Sequence, residues 1–109
     1  MEKFYIIEVR NEQLGCSFSA VKVAEAEVSK ACINAAYEDL GEKRSLQFAL
    51  EERAGAHYCT TPQKCARDGY TYLGFSTKEK VVKELTRWSK LLTASGKRAK
   101  EALEILKNY

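Results

Sequence analysis

The hydrophobic positions of the chain change period several times, and each change predicts an element. Residues 4–10 (FYIIEVR) alternate, with Tyr5, Ile7 and Val9 on one side and Phe4, Ile6, Glu8 and Arg10 on the other, which predicts a strand. Its first half is apolar on both faces, so it belongs inside a sheet and not at an edge. Residues 11–15 have the length and the glycine of a hairpin loop. Residues 16–24 (CSFSAVKVA) open a second strand, the valines favouring extended backbone.

Residues 24–40 read differently. Ala24, Val28, Ala31, Cys32, Ala35 and Ala36 recur at spacings of three and four, the pattern of a helix with an alanine-rich contact face, and Gly41 is a natural stop. In residues 45–53, Leu46, Phe48 and Leu50 alternate as in a strand, whereas Ala, Leu, Glu and Arg favour helix. Alternation is the better match. The strand would pair with residues 56–60 across the Ala54-Gly55 bend.

The last third is clearer. Residues 70–75 (YTYLGF) predict a strand, and Ser76 with Glu79 forms a capping box. An amphipathic helix over 77–92 follows, with Val81, Val82, Leu85, Trp88, Leu91 and Leu92 as its apolar stripe. Ser95-Gly96 interrupts it. A final helix carries Ala99, Ala102, Leu103 and Leu106 on one side, so the two helices fold back as a pair. Two extended segments and a helix thus recur, over 4–40 and over 56–92. The 109 residues suffice for one core. The expected architecture is a single α+β domain over residues 1–109, a mostly antiparallel sheet of about four or five strands with helices on one face.

Charge adds an asymmetry. Residues 1–56 hold 7 Lys+Arg against 10 Asp+Glu, a net of −3, whereas residues 57–109 hold 11 against 5, a net of +6. A basic half suits an anionic partner and equally suits two solvated lysine-rich helices. The N-terminus lacks a secretory pattern and no stretch reaches membrane-spanning length, so a cytoplasmic protein with reduced thiols is expected.

The densest chemistry lies in residues 57–65 (HYCTTPQKC), which hold the single histidine, the single proline and two of the four cysteines. Thr61 and Pro62 suit the start of a short helix. His57 and Cys59 would then end a strand on a shared face, with Cys65 one turn into a helix closing near Gly69. A zinc site needs four ligands at short spacers. Here five residues separate Cys59 from Cys65, and the fourth ligand would have to be the distant Cys16 or Cys32. The better reading is packed, metal-free thiols. A Cys–His dyad needs only His57 and Cys59, but one histidine beside one cysteine is a weak signal. No Gly-rich phosphate loop follows a strand. The carboxylate pairs Glu38-Asp39, Glu51-Glu52 and Glu25 with Glu27 read as solvated surface.

The remaining candidates point to binding. Tyr70 and Tyr72 share one face of their strand; if Leu73 and Phe75 face the core, the tyrosines stand exposed on the open side of the sheet. Such pairs anchor protein interfaces or stack nucleobases. Lys97, Arg98 and Lys100 surround a helix start, and Lys64, Arg67, Lys83 and Arg87 could extend a basic surface. Through Lys97, Arg98, Ala99, Lys100 and Ala102 the tail resembles the last helix of double-stranded RNA-binding domains. That family places a three-stranded sheet immediately before this helix, where the present chain has the helix over 77–92, so the chain is not assigned to it. The sequence therefore favours a small regulator, adaptor or inhibitor that docks on another protein without a cofactor. Compact accessory proteins of this kind include those of phages and mobile elements. Nucleic-acid binding through residues 57–109 is second, and a small Cys/His enzyme third.

Overall fold

The computed structural model describes residues 2–29, 32–49 and 63–109. They form β1 (Glu2–Glu12), β2 (Gly15–Val28), β3 (Cys32–Asp39), β4 (Glu42–Ala49), β5 (Gln63–Arg67), β6 (Tyr70–Phe75), α1 (Lys78–Ser89) and α2 (Ala94–Leu106). The architecture is α+β, with six strands where four or five were expected, in the order β4-β3-β2-β1-β6-β5. Every neighbouring pair is antiparallel. The sheet curls until β4 and β5 come into contact, although among the described residues no ladder joins them.

Curling divides the apolar side chains into an outer and an inner core. Outside, Tyr5, Ile7, Val9, Phe18 and Phe75 pack against Val81, Leu85 and Trp88 of α1 and Ala99, Ala102 and Leu106 of α2. Inside, Phe4, Ile6, Ala24, Ala26, Ile33, Ala35, Tyr37, Leu46 and Phe48 meet one another. The apolar start of β1 is explained by its central place between β2 and β6, where it feeds both cores.

The expected helix over 24–40 does not form. That stretch is the end of β2 and the whole of β3, paired through Glu25↔Ala36 and Val28↔Ile33. Burial there has a period of two: Ala24 and Ala26, then Ile33, Ala35 and Tyr37, are buried. The alanines serve the inner core, where a curled sheet has little width and small side chains leave room for Phe4 against Phe48, their rings 5.4 Å apart. Pairing with β1 and β4 overrides the helical preference of alanine. The recurrence of two strands and a helix disappears with it.

Two more boundaries moved. β4 pairs with β3, and residues 56–60, its expected partner, lie outside the described residues. The helix expected around Cys65 is instead β5, joined to β6 by Asp68-Gly69, both at positive φ. Leu40-Gly41 makes the same two-residue turn between β3 and β4. Asp-Gly between extended runs is a strong hairpin signal, and Pro62 six residues earlier masked it.

α1 starts one residue later than the capping box implied. Thr77 is the N-cap, its hydroxyl accepting from the Lys80 N–H at 3.4 Å, and Ser76 Oγ is buried without a hydrogen bond. The apolar stripe also ends early, because α1 stops at Ser89. Leu91 and Leu92 fall in the α1–α2 turn and are 45% and 104% exposed. Ser95 and Gly96 do not interrupt a helix; they are buried in the first turn of α2.

Candidate functional site

The opening of β2 runs beneath the α1–α2 turn. The Phe18 N–H donates to Ser95 Oγ at 3.0 Å, and Arg98 donates to the Phe18 carbonyl at 3.3 Å. The Phe18 ring lies 6.2 Å from Trp88, whose indole N–H donates to Glu84 at 3.2 Å. A bulge in the β1–β2 ladder permits this: Glu8 faces Ala20 and Val9 faces Phe18, leaving Ser19 unpaired. The extra residue puts Phe18 on the same side as Val21 and Val23, toward the helices.

These contacts bring the β1–β2 and α1–α2 turns to one end of the domain. Leu14 in the first turn is 102% exposed and Leu92 in the second 104% exposed. Cations flank the α1–α2 turn. Arg87 lies over the Trp88 ring at 5.2 Å, Lys90 caps α1, and Lys97 is exposed in the first turn of α2. Turns usually present small or polar residues, and Leu40 in the β3–β4 turn is also 97% exposed; what sets Leu14 and Leu92 apart is that their two turns share one end of the domain. Sequence reasoning missed them because it assigned Leu92 to a buried stripe and read Leu14 as loop.

The basic candidates separate into engaged and free. Arg98 holds α2 on β2, and Arg87 is bound to Glu84. Lys83, Lys97 and Lys100 are exposed. Lys80, Lys83, Arg87 and Lys90 follow one another along α1 and line a concavity of about 710 Å³ with Phe75, Glu84 and Thr86.

Tyr70 and Tyr72 share the inner face, stacked with ring centres 6.2 Å apart, while Leu73 and Phe75 face the helices as expected. That face is not the open one expected: both tyrosines are half-buried because the sheet curls over it, and Tyr72 packs against the inner core together with Cys65. Beside them runs a groove of about 350 Å³, lined by Tyr37, Glu42, Lys43, Arg44, Ser45, Leu46, Arg67 and Tyr72. Glu8 stands nearby, half-buried, its pKa raised by burial against the lowering effect of Lys22. Burial and then Glu8 push the Tyr37 phenol up to about 12. Tyr72 is raised by the same causes. Lys22 donates to Asp39 at 2.9 Å, and Arg44 Nε lies 3.5 Å from the same carboxylate. The Lys22 hydrogen bond holds the Asp39 carboxyl below its ordinary value.

His57 and Cys59 lie outside the described residues. Cys16, Cys32 and Cys65 are free thiols on three different strands. Among the described residues no group of three His, Cys, Asp or Glu could hold a metal ion. At Cys32, Ser29 Oγ at 3.5 Å, Gln47 Nε2 at 3.2 Å and Asn34 Nδ2 at 3.6 Å surround the sulfur. The Ser29 hydrogen bond, then that of Gln47, lowers its pKa. No described helix is long and apolar enough to cross a membrane. Comparison of the chain with protein-family models, curated proteins and solved structures finds no match.

Proposed function

We propose that this chain is a binding protein that docks on another protein through the end of the domain formed by the β1–β2 and α1–α2 turns. The observation that carries the reading is the full exposure of Leu14 and Leu92 on turns held together by Phe18, Trp88 and Ser95. Folding gains nothing from either leucine, whereas burying each in a partner would contribute roughly 1.5–3 kcal/mol. Arg87, Lys90 and Lys97 around the α1–α2 turn match a partner surface whose apolar pocket is rimmed by carboxylates. Such a protein acts as a regulator, adaptor or inhibitor and performs no chemistry of its own.

The test compares the wild type with the Leu14→Ser/Leu92→Ser double variant. Both residues are solvent-exposed, so stability should stay within about 0.5 kcal/mol of wild type. Capture of a defined partner from extract of the source cells should be lost. Equal capture by both proteins would show that the leucines are not the docking surface.

One observation favours a second reading, nucleic-acid binding. The α1 cations at 80, 83, 87 and 90 are spaced along one side of a helix, as a phosphate-contacting ridge requires. Binding of this kind weakens log-linearly with salt. Replacing Lys83 and Lys97 by alanine would make that slope shallower by up to about two units. A submicromolar, salt-sensitive complex at physiological ionic strength would put this reading first.

A further inference from the structure

The groove where β4 approaches β5 on the inner face of the sheet has the composition of a ligand site. We infer that it binds a small ligand bearing an oxyanion, either a phosphate or a carboxylate, held between Arg44 and Arg67 and met by the hydroxyls of Tyr37 and Tyr72. Charge decides the sign of the ligand. The lining residues include three cations, Lys43, Arg44 and Arg67, against one carboxylate, Glu42.

Unused hydrogen-bonding capacity decides the chemistry. Tyr37 is only 6% exposed, yet it lines the groove and makes no hydrogen bond among the described residues. Neither does Tyr72. The Tyr37 ring is buried while its hydroxyl opens into the polar groove, so the phenol presents a free donor to whatever occupies that groove. With their pKa values raised, both phenols stay protonated at neutral pH and can only donate to an anion. The guanidinium groups are available as well. Arg44 approaches Asp39 only through Nε, at 3.5 Å, and Arg67 approaches the exposed Asp68 at 3.6 Å, neither close enough for a strong charge-assisted bond. Two arginines and two phenols form a donor set suited to three oxygens of a phosphate or two of a carboxylate. The Tyr70–Tyr72 stack beside them offers a flat surface for a ring attached to that anion.

Glu8 opposes an anion here. It lies within electrostatic reach of both phenols and of Arg44, and Lys22 and Asp39 face it from β2 and β3. This repulsion makes the sign of the site testable.

Titration of the full chain with inorganic phosphate, acetate and phenyl phosphate, followed by backbone amide NMR, separates the outcomes. Saturable shifts confined to β3, β4, β5 and β6 are expected. Phosphate binding tighter than acetate identifies a phosphate site, and the reverse a carboxylate site. Phenyl phosphate should bind several-fold tighter than inorganic phosphate if the tyrosine stack takes a ring. Arg67→Gln, at a residue paired among the described residues with exposed Asp68, keeps the fold and should weaken binding about tenfold, with Arg44→Gln as a second variant. Glu8→Gln should tighten binding. No localised shift with any probe, affinity unchanged in both arginine variants, or weaker binding in Glu8→Gln would overturn the inference.

Discussion

Replacing Gly96 with alanine sets two effects of opposite sign against each other. Gly96 lies in the first turn of α2, and by intrinsic propensity alanine there should stabilise the helix by about 1 kcal/mol. Tertiary structure says otherwise. A Cβ at this position would stand 1.9 Å from the Leu91 carbonyl oxygen and 2.9 Å from its carbon, both backbone atoms of the α1–α2 turn. Backbone cannot swing aside as a side chain can, so the turn must open by more than 1 Å, roughly the gap to ordinary contact near 3.5 Å. Overpacking against rigid structure costs about 1–3 kcal/mol, and the upper end applies here. Opening the turn also strains the adjacent bond from the Phe18 N–H to Ser95 Oγ, worth about 1 kcal/mol. Set against the propensity gain, the net loss is about 3 kcal/mol. Urea denaturation followed by Trp88 fluorescence measures it directly, with the midpoint falling and the slope unchanged. A variant as stable as wild type, or more stable, would refute the close approach of the two helices at this turn.

Trp88→Ala empties the outer core between Phe18 and α1, and its expected cost is about 3–5 kcal/mol; wild-type emission should be blue-shifted, and a solvent-like maximum would place Trp88 on the surface. Leu40 combines positive φ with 97% exposure, so Leu40→Asn should stabilise the β3–β4 turn by about 1 kcal/mol; a loss in chemical denaturation would mean that the leucine has a hidden contact. Glu8 has a raised folded-state pKa, so its contribution is present below the unfolded carboxylate range and is lost as pH rises through the folded value. The stability advantage of Glu8→Gln over wild type should therefore grow between pH 4 and pH 7, and a constant difference would mean that Glu8 titrates as an exposed carboxylate.

Local pattern determined a good part of this protein. Alternation in residues 4–10 and 70–75, and the three-and-four spacing of Val81, Leu85, Trp88, Ala99, Ala102 and Leu106, identified the central strands and the outer helical layer. Their apolar side chains recur at a spacing that fits only one kind of element, two for a strand and three or four for a helix. The same reasoning placed Tyr70 and Tyr72 opposite Leu73 and Phe75. The alanine-rich middle was beyond it, because alanine fits a helix face and a narrow sheet interior equally well. Only pairing with neighbouring strands, and the need to leave room for Phe4 and Phe48, chose the sheet. The candidate sites were decided at the same level. Leu14 and Leu92 are 78 residues apart, and their turns lie at one end because Phe18 reaches under the helix turn. Tyr37, Arg44, Arg67 and Tyr72 converge because the sheet curls until β4 approaches β5. Curling is a collective property of strand twist and inner side-chain size, summed over six strands, and no single stretch of the chain records it.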